Sequence, residues 1–411
     1  MLAKLLIAIA VFHCAYGHYN CSQRSATLLL KRPTYEFSVK LLERVAQETN
    51  GHFVFSPLST WLQLLTLAEG ARGRTLRELW NITHHHRNKC FKSKLSTILF
   101  RINRDLKTTS RRRGVMIIDK YMGVKTNYLR EVHKLYGVKT LLVDFNDPIK
   151  SAAKVNRYIN YSTNNNIPEV VFYDDFINTV FLMADANYFS NTWKSPFNPE
   201  FTRQEPFYSS IGDNLGNVNM MSQTGYFHIT EFPRINANVL ELPLSDRKFS
   251  LLLFLPVRDI WIGDLPYLLE YTRLTSIYNM FKHHGPQLVK VKIPRFSITT
   301  NVENLPELVF DMGVRRIFNP KLAELSGISD FKMHVSLMTQ VSEVEVTERG
   351  VRARSDTAFP LINDKGAIEF IANRPFAFMI IDKATEFIMY AGMYSSPSLR
   401  RGFNSRNTKN V

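Results

Sequence analysis

Apolar residues fall mainly at helical spacing in the first third of this chain and mainly at strand spacing after it. Residues 33–48 group Phe37, Val39, Leu41, Leu42 and Val45 on one helical side. Phe53-Val-Phe55 reads as a short strand. Ser56-Pro-Leu-Ser59 then opens a helix: Ser56 can cap free N–H groups, and Pro57 sits in the first turn, where its missing N–H costs nothing. That helix runs to Ala68 and ends near Gly70. Residues 91–106 predict a second amphipathic helix, with Phe91, Leu95, Ile98, Leu99, Ile102 and Leu106 in one stripe. Residues 115–118 and 141–145 read as strands, 152–159 as a helix, and 181–189 as a long buried strand.

Strand patterns dominate from there. Residues 239–242, 250–255 and 289–293 are the clearest, and the last alternates apolar with basic, so one face is buried and one wet. Residues 376–381 and 387–394 flank Asp382-Lys-Ala-Thr385 as a hairpin. A strand over 341–347 is followed by a polar, irregular run to Glu369, and a loop of that length between buried strands is usually functional or disordered. Helices first and strands later, without a βαβ rhythm, predict an α+β fold in one domain.

The remaining features add a compartment. The 411 residues are 45% hydrophobic, enough for a large core, and no repeat period stands out. Lys4, the apolar run 5–14 and Ala15-Tyr-Gly17 have the form of a signal peptide over 1–17, rather than a buried N-terminal helix. Residues 18–31 are expected to form a polar N-terminal arm, and 398–411 a basic tail. No later stretch reaches about eighteen uninterrupted apolar residues, so no membrane span is expected. Cys14 would leave with the signal. Cys21 and Cys90 would remain in a compartment that permits a disulfide, and sequence separation does not decide whether they meet. Asn20, Asn81 and Asn160 stand in glycosylation sequons, with Asn81 in an expected polar loop over 81–89. The net charge of +16 points, outside the cell, to acidic polysaccharides, anionic surfaces or acidic proteins, and not to nucleic acid.

Several blocks then carry a specific resemblance. Phe53-Val-Phe-Ser-Pro-Leu-Ser59, Ala186-Asn-Tyr-Phe-Ser-Asn-Thr-Trp-Lys-Ser-Pro-Phe197, Val218-Asn-Met-Met221, Val291-Lys-Ile-Pro-Arg-Phe296, Ser326-Gly-Ile-Ser329 and Asn373-Arg-Pro-Phe376 resemble, in order and spacing, the serpin family over residues 32–397. The resemblance implies one domain with three β-sheets, about eight or nine helices and an exposed reactive-centre loop, here about 348–369. It further implies that a serine protease attacks the loop and forms an acyl-enzyme, and that the cut loop inserts as a new strand into the large sheet, carrying the protease with it. An extracellular serine protease is the implied partner, a monomer is expected, and no cofactor or metal is.

The hinge of that loop is Glu348, Gly350, Val351, Ala353, Ser355 and Thr357. Inhibitory members carry small residues there, whereas this chain adds Arg352, Arg354 and Asp356. Alternation in a strand sends those charges outward and leaves Val351, Ala353, Ser355 and Thr357 facing in. Insertion is thus handicapped by Val351 but not forbidden; drift in a loop that no longer inserts is the other reading. The sheet-opening gate matches at Ser56 and Ser59, with Trp193 as the buried tryptophan and Arg295 as the partner of Glu348. Asp185 stands where an asparagine is usual, and Gln340 where a histidine is usual. Counting from Gly350 places the cut after Asp364, while Lys365-Gly366, one residue on, suits a trypsin-like enzyme.

Lys94, Arg101, Arg104 and Arg111-Arg-Arg113 lie on or after the second amphipathic helix and are candidates for sulfated polysaccharide, against an ordinary solvated basic face. His84-His-His86 and His283-His284 are better read as solvated imidazoles than as metal ligands. No catalytic motif such as Gly-x-Ser-x-Gly or His-Glu-x-x-His appears. Two functions follow: a secreted suicide inhibitor of trypsin-like proteases, or a non-inhibitory secreted binding or carrier protein.

Overall fold

The computed structural model describes residues 21–49, 51–84, 89–106, 110–257, 260–351 and 364–397. In chain order the elements begin with α1 (Gln23–Glu48), β1 (Phe53–Phe55), α2 (Pro57–Gly70), α3 (Gly73–Thr83), α4 (Lys89–Leu106), β2 (Ser110–Asp119) and α5 (Thr126–Tyr136). Then come β3 (Lys139–Val143), α6 (Pro148–Ser162), β4 (Phe181–Phe189), β5 (Asn191–Thr192), β6 (Arg203–Tyr208), β7 (Asn214–Phe232), β8 (Ala237–Pro243) and β9 (Phe249–Pro256). The chain continues through α7 (Leu265–Glu270), α8 (Leu274–His284), β10 (Gln287–Pro294), β11 (Phe296–Val302), α9 (Leu305–Asp311), β12 (Leu337–Thr347) and β13 (Gly350–Val351). It closes with β14 (Ile368–Ile371), β15 (Phe376–Asp382) and β16 (Phe387–Tyr394). The described residues thus hold nine α-helices with mixed sheets, as expected of an α+β domain.

One sheet runs β3-β2-β4-β12, with β11 also on β12 and the short β13 and β5 at one end. A second runs β1-β16-β15-β9-β8 and reaches the last residues of β7. The earlier part of the 19-residue β7 pairs instead with β6 and β10, and β14 extends that third layer. One long strand therefore joins two sheets.

Alternation along β4 sets the layers. Phe181, Met183 and Phe189 enter the main core with α1, α2 and the second sheet. Leu182, Ala184 and Ala186 face the other way and pack with Val155 and Ile159 of α6. The same parity aims Asp185 and Asn187 at the main core, where both are fully buried.

One boundary differs from the sequence pattern. Residues 23–31, read as part of a polar arm, are the first turns of α1, and Pro33 lies inside that helix. Its ring and missing N–H would ordinarily stop a helix. Here the segment before it is held independently: Ser22 caps it by accepting from the Ser25 N–H at 3.0 Å, Ala26 and Leu30 are buried, and Cys21 forms a disulfide with Cys90 at the start of α4. The pairing left open by the sequence is thereby settled, with a Cα–Cα distance of 6.2 Å. Residues 1–17, read from the sequence as a signal peptide, and the tail 398–411 lie outside the described residues.

Candidate functional site: the hinge, the gate and the loop

The site grows from the seam between β4 and β12. These strands pair in parallel from Leu182 opposite Leu337 to Phe189 opposite Val344. Beyond that point the seam is occupied. Gly350 and Val351 form β13, which pairs antiparallel with Val346–Thr347 on one side and with Asn191–Thr192 of β5 on the other. Hinge residues Gly350 and Val351 already lie as a strand between the two halves of the sheet. Val351 is fully buried in the main core, on the inward side that alternation predicts. Ala353, Ser355 and Thr357 lie outside the described residues.

Gly350 is required there by space and by backbone. A Cβ at this position would stand 2.1 Å from Asn191 O and 2.5 Å from Thr192 Cα, and its φ is +151°. The corner before it is cross-tied. Trp193 Nε1 donates to Thr347 O at 2.8 Å, and the backbone N–H groups of Trp193 and Phe197 donate to the carbonyls of Arg349 and Glu348. Glu348 accepts from the Thr202 hydroxyl at 2.9 Å and faces Arg295 at 3.6 Å.

Farther down the seam lies the gate, at the N-terminus of α2. Ser56 caps the helix and donates to Met389 O at 2.7 Å. Gln340 of β12 grips the Ser56 backbone from both sides: its Oε1 accepts from Ser56 N–H at 2.6 Å, and its Nε2 donates to Ser56 O at 3.0 Å and to Thr60 Oγ1 at 3.1 Å. A glutamine amide offers an acceptor and two donors, and all are used here. On the β4 side, Ser59 donates to Asn187 Oδ1 at 2.6 Å. One helix end thus holds both sides of the seam.

Asp185 carries the charge that the sequence marks as unusual, and its partner is a residue the sequence reading placed elsewhere. Arg112 of β2 turns into the gate, with its side chain 10% exposed. Its Nε donates to Ser59 Oγ at 2.9 Å, its Nη1 to Tyr136 O at 3.3 Å, and its Nη2 stands 3.5 Å from Asp185 Oδ1. Neither carboxylate oxygen has a hydrogen-bond donor. Burial accordingly pushes the Asp185 carboxyl up to about 7, with the Arg112 charge pulling the other way. Gly114, directly opposite Asp185 in the ladder, makes the room: a Cβ there would stand 2.8 Å from Arg112 Nη2 and 3.0 Å from Asp185 Oδ1.

That geometry corrects the polysaccharide reading. Arg112 belongs to the gate. Arg101 also points inward, donating to both oxygens of Asp382, a carboxylate with no exposed side-chain surface. Arg113 donates to Arg112 O and lies on β2, as does Arg111, rather than on the helix. Lys94 is half-buried and Arg104 exposed on α4. The predicted cluster is therefore divided between interior ion pairs and surface.

At the far end of the loop, Asp364, Lys365 and Gly366 are exposed. Ala367 N–H donates to Asp364 O at 3.0 Å, and Gly366 has φ +79°, so the segment turns just before β14. Lys290 of β10 holds Asp364 Oδ2 at 2.8 Å and keeps its carboxyl below the usual range.

The sequons differ in access. Asn81 is exposed, but in the last turn of α3 rather than in a loop. Asn160 sits on α6 with its amide oxygen buried and without a partner. Asn20 lies outside the described residues. Among the described residues no His, Cys, Asp and Glu group could hold a metal, and no helix is long and apolar enough to cross a membrane.

Comparison with known proteins points one way. A family model described as Serpin (serine protease inhibitor) matches residues 33–397. A leukocyte elastase inhibitor of Xenopus tropicalis is 30% identical over 378 residues, covering 88% of this chain and 97% of the relative. The protein Z-dependent protease inhibitor of Homo sapiens is 26% identical over 379 residues, covering 90% and 83%. Native protease nexin-1, solved with heparin, superimposes with a TM-score of 0.78 at 22% identity, over 90% of this chain and 99% of the other.

Proposed function

Since this chain belongs to the serpin family, we propose that it is a secreted inhibitor of a trypsin-like serine endopeptidase, acting once through loop cleavage and insertion between β4 and β12. The observation that carries this reading is β13. Gly350 and Val351 already lie in the seam, with Val351 buried, and strand alternation in the sequence puts the small residues Ala353, Ser355 and Thr357 on the same side. Insertion would extend a strand that has begun rather than start one.

Lys365 is the bait in this reading. Asp364 is tied to Lys290, while trypsin-like pockets present a carboxylate that suits a lysine. After attack, an acyl-enzyme forms at the Lys365 carbonyl and the peptide toward Gly366 leaves. Insertion of the hinge strand then carries the acylated protease away from its productive geometry.

Secretion is supported by the leader-like residues 1–17 and by the Cys21–Cys90 disulfide, which oxidising compartments favour. A sulfated polysaccharide would be met by Lys94 and Arg104 rather than by Arg101 or Arg112, and the protein acts as a monomer.

The test is to mix the mature protein with a trypsin-like protease and run a denaturing gel. A covalent complex that survives boiling is expected. Clean cleavage near Asp364–Lys365 without a complex sinks this reading and leaves a non-inhibitory binding or carrier protein.

A further inference from the structure

The gate of this chain differs from an ordinary polar cluster in three linked positions. Asp185 puts a carboxylate where no hydrogen-bond donor reaches it, Arg112 brings a cation to it from the neighbouring strand, and Gly114 leaves room for both. Arg112 and Asp185 sit on β2 and β4, which stay together when β4 parts from β12. Ser59 and Gln340 show where that parting must slip. Ser59 holds the β2–β4 side through Arg112 and Asn187, while the Ser56 backbone and Thr60 hold Gln340 on the β12 side.

We propose that Arg112 and Asp185 form a proton-sensitive bolt on this seam: with Asp185 protonated the sheet stays closed, and ionisation of Asp185 favours opening, so that loop insertion is coupled to release of one proton. Arg112 acts as a positioning residue, through Ser59 and Asp185. This inference rests on the insertion reading for its consequence, but not for its measurement.

The direction follows from the surroundings of Asp185. On α2 the facing groups are Ser56, Ser59, Thr60 and Gln63, all uncharged, and on β12 they are Gln340 and Ser342. On β4 the neighbour is Asn187, and on β2 it is Arg112, while Arg113 has the opposite parity. Glu343 and Glu345 also fall on the opposite parity of β12. From α5, Tyr136 offers its carbonyl to Arg112 and its hydroxyl to Glu69, which pairs with Lys92. The one cation facing Asp185 among these groups stands at 3.5 Å and gives it no hydrogen bond, so burial dominates. A carboxyl that binds its proton more tightly in the closed sheet than in a wetted, opened one stabilises closure at low pH. That contribution is lost as pH rises through about 7.

The experiment is hydrogen–deuterium exchange of the intact, uncleaved protein at pH 6 and pH 8, read as protection factors for β4 and β12 so that intrinsic exchange is divided out. For the unaltered protein, seam protection should fall about tenfold from pH 6 to pH 8, because each opening releases close to one proton below the midpoint and none well above it. Asp185→Asn should abolish the fall while keeping protection high at pH 8. Arg112→Gln removes the countercharge and should move the fall to higher pH; if that variant does not fold, Asp185→Asn decides alone. Equal protection at both pH values in the unaltered protein overturns the proposal, and so does an undiminished fall in Asp185→Asn. Neither result depends on a protease, so failure of the bolt is distinct from failure of inhibition.

Discussion

Val351 is the residue on which insertion turns. It is the largest member of the inward hinge set, and it is fully buried where β13 meets β5 and β12. A branched side chain is accommodated here, so its handicap is smaller than the chain's departure from small hinge residues suggests. Val351→Arg would put an unpaired charge into the main core, a cost on the order of several kcal/mol. The expected outcome is clean cleavage without a covalent complex, read on a denaturing gel; unchanged complex formation would refute the facing argument. Gly350→Ala tests the backbone instead. Its Cβ would meet backbone atoms of Asn191 and Thr192, which cannot swing aside as a side chain can. Loss of exchange protection at residues 350 and 351 is expected, with seam pairing below them intact.

At the scale of elements, the strands were legible where one period served one environment. The long buried strand over 181–189 and the alternating one over 289–293 stand within a residue or a few of β4 and β10. The start of α1 was not legible, because Pro33 reads as a helix stop and part of what holds residues 23–31 is a disulfide to a helix far along the chain. Arg112 was misread for a similar reason. Next to it in sequence lie Arg111 and Arg113, which look like a surface run, and only the pairing of β2 with β4 sets Arg112 and Gly114 against Asn187 and Asp185. A hint was present in the glycine two positions after Arg112, within a strand otherwise suited to larger side chains. The disulfide gives the prediction at this scale. Replacing Cys21 and Cys90 by Ala together frees a crosslink spanning 69 positions, worth about 2–4 kcal/mol in comparable loops. Thermal stability should fall, and exchange protection should be lost first in residues 23–31, before Pro33. Protection there unchanged would mean that Ala26, Leu30 and the Ser22 cap hold the segment unaided.

Across the whole molecule, the proposed inhibition turns on a change in the closed seam. Insertion must break the parallel ladder of β4 with β12, eight register pairs long, and replace it with two antiparallel ladders on a central strand. The exchange gains about one ladder. At roughly 0.5–1.5 kcal/mol net for each hydrogen bond, about eight extra bonds give on the order of 4–12 kcal/mol. That gain is comparable to the total stability of an ordinary domain, about 5–15 kcal/mol. Cleavage of the loop by a protease that is not trapped should therefore raise the thermal midpoint sharply, although a covalent bond has been lost. Calorimetry of the intact and cleaved protein at one pH measures this directly. At pH 8, where the bolt between Arg112 and Asp185 favours opening, the cleaved form should reach its high midpoint sooner than at pH 6. A midpoint that stays the same or falls after cleavage would mean that the strand begun by Gly350 and Val351 goes no farther, and that the loop is a substrate rather than a trap.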